Sequence, residues 1–214
     1  MTAMIGRLAI LFILIASNSA YSIELIDDFY TAINLGDAGT VKELLARGVD
    51  ANIMNGDGNT ALIIAAREGN VEIVKLLRQA GARLNSKNRL GETAIMLAAF
   101  EGHGQVVATL IAMGADVSQA TPQGWTPLLY AAFSGFSPIV RQLLNNGGDV
   151  DAATRNGTTA LMLAAKNGHI KVVKVLLEWH ADARKANASG ATALSWALEN
   201  GNTDIGELLE ADKP

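Results

Sequence analysis

The chain has 214 residues, of which half are apolar, 18% are charged and none is cysteine. This composition excludes intrinsic disorder, which needs few apolar residues and a high net charge, and it excludes disulfides, thiolate metal sites and thiol nucleophiles. The 17 basic residues are outnumbered by 21 acidic residues, which gives a net charge of −4. Because a phosphate backbone is bound by clustered Lys and Arg, this balance argues against a nucleic-acid partner.

The first 20 residues have the pattern of a secretory signal peptide. Arg7 precedes the uncharged apolar run 8–16, and the small or polar residues 17–20 (SNSA) follow it. This run is shorter than the about 20 residues that span a bilayer. We expect cleavage after Ala20, with Ser19 and Ser22 as alternatives, and a mature protein in the periplasm or secreted. The other interpretation is an uncleaved anchor in the inner membrane.

The rest of the chain repeats with a period of 33 residues. The repeated loop glycines are Gly58, Gly91, Gly124, Gly157 and Gly190. A threonine stands two residues after each of them, and a pair of small residues and a further glycine follow in the same register. This period indicates a solenoid, in which units stack because no unit buries its apolar surface alone.

One unit, residues 57–89, predicts a pair of helices. Thr60 is a typical N-cap for a first helix over 61–67, which a glycine and an asparagine then end. A second helix over 71–80 has apolar residues at helical spacing, and Gly81 follows it where a left-handed residue closes a helix. Each unit is therefore expected to be a helical hairpin with a projecting loop.

The repeated pattern G-x-T-A-L-x-x-A-A-x-x-G, followed by an apolar second helix and G-A-D-V, resembles the ankyrin repeat. The resemblance extends over about residues 24–212, and the signal peptide suggests a bacterial, exported member of the family. It implies an all-α solenoid of about six helical-hairpin units. The expected divisions are a degenerate N-terminal cap at 24–56, repeats at 57–89, 90–122, 123–155 and 156–188, and a C-terminal cap at 189–214.

The sequence departs from the family pattern T-P-L-H at its last position. The family's histidine, which ties the loop by hydrogen bonds, is replaced by Ile63, Met96, Leu129, Met162 and Ser195. We expect packing to substitute for those bonds where the replacement is apolar. His180 stands where the other second helices end in glycine, so that helix end is expected to be strained or differently shaped.

Several residues that suggest chemistry are better explained by the repeat. Residues 55–59 (NGDGN) lack the ligand spacing of a calcium loop and fit a projecting turn. His103 and His169 occupy one repeat position, and Met96 and Met162 another, which favours structural roles. No catalytic or cofactor motif occurs, so we expect no enzyme activity, no catalytic residues, no cofactor and no metal.

The repeat register also predicts a binding surface, because loop tips and first helices form the concave side of such solenoids. The positions beside each loop glycine, and the two after each alanine pair, should face it. They are polar in the outer units but include Leu90, Phe100, Trp125 and Phe133 in the middle. The charged candidates are Arg67, Glu101, Arg155 and Lys166. Exposed aromatic residues with a charged rim are typical of a protein-binding hot spot.

Two alternatives remain open for this surface and for the function. Trp125 and Phe133 could merely pack on their neighbours, as we expect of Tyr130, Phe136, Trp179 and Trp196, which we assign to the core. The resemblance implies a monomeric adaptor or scaffold that binds a protein. The alternative is an accessory factor for a periplasmic peroxide-defence or haem enzyme, with Met or His contacting the cofactor.

The export signal yields a direct prediction. Expression of the full chain in a Gram-negative host should give a periplasmic protein whose N-terminus is Tyr21, because the apolar run directs cleavage near Ala20. Loss of Arg7 leaves 16 basic and 21 acidic residues, a net charge of −5. N-terminal sequencing of the periplasmic fraction measures this, and a cytosolic chain that still begins at Met1 would contradict it.

Overall fold

A computed structural model describes residues 24–211, and the predicted signal peptide, residues 1–20, lies outside the described residues. The described part contains twelve helices: α1 (24–35), α2 (Ala38–Ala46), α3 (Ala61–Arg67), α4 (Val71–Gln79), α5 (Ala94–Glu101), α6 (Gly104–Ala112), α7 (Pro127–Ser134), α8 (Ser137–Asn145), α9 (Ala160–Lys166), α10 (Ile170–Glu178), α11 (Ala193–Glu199) and α12 (Thr203–Ala211). None of these helices is long and apolar enough to cross a membrane.

The helices form two layers. From α3 onward, each odd-numbered helix packs against the even-numbered helix that follows it and against the odd-numbered helices of the adjacent units. The even-numbered helices α2 to α12 form the second layer in the same order. Within residues 24–211, β-structure is limited to isolated bridges from Met54 to Thr60 and from Ala153 to Thr159. The predicted all-α repeat solenoid is confirmed.

The first helices approach each other closely because alanine pairs lie between them. The pairs Ala65–Ala66, Ala98–Ala99, Ala131–Ala132 and Ala164–Ala165 are fully buried. An alanine side chain adds little width, so adjacent backbones can come together with few voids. In the last described unit the pair becomes Ala197–Leu198, and Leu198 is 53% exposed.

The second helices bury one apolar stripe each. Equivalent residues 33 apart form this stripe, as in Ile73, Val106, Ile139, Val172 and Ile205, which are all at most 2% exposed. A second series, from Leu77 to Leu209, is buried beside it. Leu76, which also has helical spacing, is only half-buried. The core is therefore continuous along the stack rather than confined to single units.

The N-terminal unit lacks the repeat's Gly-x-Thr signature but joins the same core. Phe29 and Ile33 of α1 are fully buried, and the ring of Tyr30 packs edge-on against Phe29. The Tyr30 hydroxyl donates to the carbonyl oxygens of Ile53 at 2.6 Å and Asn59 at 3.2 Å. Burial raises the pKa of Tyr30 to about 12. This residue ties the first unit to the loop of the second.

Threonine begins the first helices, as predicted. The hydroxyl oxygens of Thr60, Thr126, Thr159 and Thr192 each accept a hydrogen bond from the backbone N–H three residues on, at 3.2–3.3 Å. Thr93 is the exception, because its buried hydroxyl has no hydrogen-bond partner among the described residues. Such side-chain bonds satisfy N–H groups that a helix start otherwise leaves unpaired.

Packing replaces the family's histidine, as expected. Ile63, Met96, Leu129 and Met162 are at most 1% exposed. Met96 also makes a hydrogen bond, as the family's histidine does, because its sulfur accepts the Thr93 N–H at 3.4 Å. In the last unit the Ser195 hydroxyl accepts the Thr192 N–H at 3.0 Å, which completes a reciprocal cap.

The loops between units are tight hairpins with the same internal bonds. In each of them, the first residue donates its N–H to the carbonyl of the fifth, as Asn55 does to Asn59 at 2.9 Å. The side-chain oxygen of the first residue accepts the N–H of the fifth. The residues in this position are Asn55, Asn88, Thr121, Thr154 and Asn187. The sequence analysis missed this series, although its members stand 33 residues apart. Residues 55–59 form such a turn, as interpreted.

Adjacent loops are also joined to each other. The backbone N–H of Arg155 donates to the carbonyl of Gln123 at 2.8 Å, and that of Ala188 donates to Asn156 at 2.8 Å. The loops of the last three units therefore form one hydrogen-bonded row. This row holds the backbone at the loop tips in fixed positions relative to one another.

His180 has a left-handed backbone, with φ of 61°, and is the only residue besides glycine with a positive φ between residues 24 and 211. Replacement by glycine should raise the free energy of unfolding by up to about 1 kcal/mol, because glycine avoids the steric cost of this conformation. Chemical denaturation measures the change. Gly147→His, at the equivalent position of the preceding unit, should cost a similar amount. A less stable His180→Gly variant would show that the imidazole makes a stabilising contact.

The packing of neighbouring loops predicts unequal costs at two equivalent glycines. A Cβ on Gly124 would lie 3.0 Å from backbone atoms of Ala153, Thr154 and Arg155, whereas one on Gly190 would meet nothing within 4 Å. Both glycines have positive φ, of 85° and 81°. Gly124→Ala should therefore destabilise by about 1–3 kcal/mol more than Gly190→Ala. Equal denaturation midpoints for the two variants would contradict the close approach of the loops.

Candidate protein-binding face

The loops and the ends of the first helices share one side of the stack, which we call the loop face. It consists of the loops 55–59, 88–92, 121–125, 154–158 and 187–191 and the last turns of α3, α5, α7, α9 and α11. Of the positions that the sequence analysis assigned to this face, all but Thr158 are at least partly exposed. Leu90, in the second of these loops, is 66% exposed.

Four aromatic rings form a cluster at the middle of the loop face. Phe100 and Phe133 are stacked, with centroids 6.3 Å apart and planes inclined by 17°. Trp125 lies edge-on to Phe133 at 5.8 Å and is tilted against Tyr130 at 5.1 Å. Tyr130 also meets Phe100 edge-on at 5.8 Å. We call Phe100, Trp125, Tyr130 and Phe133 the aromatic cluster.

The repeat brings these rings together. Phe100 and Phe133 are equivalent residues of α5 and α7, so the stacking of those two helices places one ring over the other. Phe100 and Phe133 are 37% and 40% exposed, whereas Trp125 is half-buried and packs against the core. The cluster therefore has a buried base and an exposed edge. Trp125 and Phe133 pack on their neighbours, which was one of the two interpretations, and they also present apolar surface to solvent, as the binding interpretation requires.

Tyr130 was expected in the core, and this was wrong. The residue is half-buried, and its hydroxyl donates to Glu92 Oε1 at 2.8 Å. Glu92 Oε2 accepts from the side-chain amide of Asn88 at 2.9 Å, which also donates to Asn59 Oδ1 at 3.0 Å. Burial and the bond to Glu92 raise the pKa of Tyr130 above its ordinary value. This network fixes the polar side of the cluster across three units.

Trp196, also assigned to the core, packs against it but is half-buried and lines a cleft on the loop face. The cleft has a volume of about 400 Å³ and lies between the rings of Trp125 and Trp196. Trp196 occupies the same repeat position as Tyr130, directly before the small pair. Aromatic residues directly before the small pair were the signal that the sequence analysis missed.

Phe136 and Trp179, likewise expected in the core, are half-buried and pack against it.

The charged candidates divide into two groups. Arg67 forms an ion pair with its neighbour Glu68 at 2.9 Å, so part of its charge is neutralised locally. Glu101 is exposed beside Phe100. Arg155 lines the cleft, and Lys166 places its Nζ 4.8 Å from the centroid of the Trp196 ring. The structure therefore brings Arg155 and Lys166 together with the tryptophans and leaves Arg67 apart.

The histidines and methionines that suggested chemistry have structural positions. A Cβ on Gly69 would lie 2.6 Å from the His103 ring, and one on Gly135 would lie 2.7 Å from the His169 ring. Phe136 covers Gly102 in the same way. His169 Nε2 also lies 2.9 Å from the carbonyl oxygen of Phe133. Met96 and Met162 are buried, so neither sulfur reaches the surface where a cofactor could be contacted.

The comparisons with known proteins agree with this architecture. The family model "Ankyrin repeats (3 copies)" matches residues 29–121, 81–154 and 128–213. These matches together cover most of the chain, which therefore belongs to the ankyrin repeat family. Ankyrin repeats are generally modules for protein–protein interaction and are typically not enzymes. No curated protein matches the chain significantly.

Proposed function

We propose that this protein is an exported adaptor or scaffold that binds a protein partner through the loop face and catalyses no reaction. The observation that carries the proposal is the aromatic cluster, whose exposed edge consists of Phe100 and Phe133. Aromatic residues on a polar surface are the commonest centres of protein-binding energy. Leu90 extends the apolar surface at the neighbouring loop.

The rigidity of the cluster supports a role in binding. Each ring contacts at least two others, and the base of the cluster is held by the core and by the Tyr130–Glu92 bond. A partner would therefore bind to side chains that are already ordered, so that little conformational entropy is lost. Rings that served only to stabilise the fold would be better buried than Phe100 and Phe133 are.

The proposed location is the periplasm or the exterior of the cell, reached with the N-terminal 20 residues as the signal. The sequence pattern of residues 1–20 supports this proposal. The absence of cysteine suits an oxidising compartment, since no thiol can form a wrong disulfide there.

The test compares truncations of exposed apolar residues. Phe133→Ala should lower the free energy of unfolding by no more than about 1 kcal/mol, because the side chain lies at the surface and is 40% exposed. Leu129→Ala in the same helix should cost about 2–5 kcal/mol. Mature Phe133→Ala protein should nevertheless bind the partner captured from periplasmic extract about 30-fold more weakly, as for a hot-spot residue.

A matched control is available at the other end of the stack. Leu35 is 78% exposed on α1, away from the loop face, so Leu35→Ala removes exposed apolar surface without touching the cluster. This variant should capture the same partner as the wild type. Equal capture by Phe133→Ala and wild type, measured by quantitative mass spectrometry, would contradict the proposed site. Trp125→Ala should lose binding as well but, being half-buried, should also lose more stability than Phe133→Ala.

A further inference from the structure

The cleft beside the aromatic cluster has apolar walls contributed by three units. Trp125 from one loop and Trp196 from α11 form opposite sides, and Leu163 of α9, only 7% exposed, lies between them. A volume of about 400 Å³ falls within the range of about 300–1,000 Å³ typical of ligand sites. The cleft is continuous with the aromatic cluster, because Trp125 belongs to both.

The polar rim of the cleft offers hydrogen-bond donors. Asn156 uses its side-chain oxygen to accept the Thr154 hydroxyl and the Thr158 N–H, which leaves its NH₂ group for a ligand. The side chains of Gln123 and Arg155 also line the cleft and have no hydrogen-bond or ion-pair partner within residues 24–211. A ligand rich in acceptors would satisfy these groups.

The charge of the cleft is opposite to that of the whole chain. Arg155 lines it, Lys166 lies against the Trp196 ring, and no carboxylate lines it within the described part of the chain. The nearby aromatic cluster has the acidic residues Glu92 and Glu101 instead. The lining of the cleft is therefore positive, whereas Glu92 and Glu101 lie at the aromatic cluster; Arg89, beside Leu90, and Glu199, at the end of α11, lie on the loop face outside the cleft lining.

We infer that the cleft between Trp125 and Trp196 binds an extended segment of the partner protein in which an apolar side chain stands next to a carboxylate. The apolar side chain lies between the two indole rings over Leu163, and the carboxylate accepts from the Arg155 guanidinium and lies near Lys166. Arg is the residue best suited to bind a carboxylate through paired hydrogen bonds. This inference rests on the proposed function and specifies the chemistry of its partner.

The polarity also orients the segment. Its acidic end lies at the cleft, and the part that crosses the aromatic cluster is apolar and free of acidic residues, because Glu92 and Glu101 would repel them. Adjacent loops that are hydrogen-bonded to each other hold the backbone of Gln123, Arg155 and Asn156 in place before the segment arrives.

The test selects binding sequences from a displayed library of random peptides on the purified mature protein. Selected peptides should be enriched in Asp or Glu next to an apolar residue. Arg155→Glu should shift the enrichment to Lys or Arg, because the sign of the cleft's main charge is reversed. The backbone bond from Arg155 to Gln123 does not depend on the side chain, so the variant should keep the wild-type unfolding midpoint.

Lys174→Glu provides the matched control. Lys174 is exposed on α10, outside the cleft, and its replacement changes the net charge of the protein by the same amount. This variant should select the same acidic peptides as the wild type. A shift to basic peptides in both variants would mean that net charge alone decides selection, and it would overturn the inference.

A peptide pair then measures the contribution of the carboxylate. The most enriched acidic peptide and its Asp→Asn or Glu→Gln analogue are titrated by tryptophan fluorescence, since two of the three tryptophans line the cleft. The analogue should bind about three- to tenfold more weakly to the wild type. The neutral analogue should bind to the Arg155→Glu variant as tightly as it binds to the wild type. In the Trp196→Phe variant, peptide binding should cause a smaller change in fluorescence.

The outcomes separate this inference from the function that it rests on. Peptide binding that depends on Phe133 but shows no preference for acidic residues overturns the inference and leaves the proposed function standing. If binding of neither the peptides nor an extracted partner depends on Phe133 or on Arg155, both are wrong. Self-association of the mature protein that Arg155→Glu abolishes would identify a second copy of the chain as the occupant and would also overturn the inference.

Discussion

The close approach of one first helix to the next determines the rest of this structure. Fully buried alanine pairs at the same position of successive units allow that approach, and a larger residue there would separate the units. Since the helices stack in register, any residue lies above its equivalent 33 positions away. The stacking of Phe100 on Phe133 follows directly from this constraint, and so does the row of hydrogen-bonded loops.

The same stacking in register explains why variation at one repeat position has only structural consequences, whereas variation at another changes the exposed surface. Histidine at 103 and 169 and phenylalanine at 136 are chemically unlike, yet each of these residues covers the glycine of the preceding unit, so the variation at this position is structural. A second shared position is occupied by Ile64, Leu97, Tyr130, Leu163 and Trp196 and borders the loop face, where Ile64 and Leu163 are buried but Tyr130 and Trp196 are only half-buried. There a change of residue alters the exposed surface, and the aromatic members Tyr130 and Trp196 mark the cluster and the cleft.

The loop face combines order with exposure in a way that suits binding. Its hairpins are closed by paired backbone and side-chain bonds, and the Tyr130–Glu92–Asn88 network reaches across units to hold the aromatic cluster. The side chains that a partner would contact are thus fixed before binding, which lowers the entropic cost. Specificity can then come from the charge pattern along the face, with Glu101 at the aromatic cluster and Arg155 at the cleft.

The sequence by itself determined the repeat, the helix boundaries and the class of fold, because glycines, threonine caps and alanine pairs act through local geometry and recur in register. It also identified Phe100, Trp125 and Phe133 as surface candidates. Only the tertiary structure decided that Arg155 and Trp196 line one cleft, that Lys166 lies over the Trp196 ring, and that Arg67 is paired with Glu68. The physical reason is that exposure and contact depend on how far each unit turns relative to the next, and the period along the chain does not contain that angle.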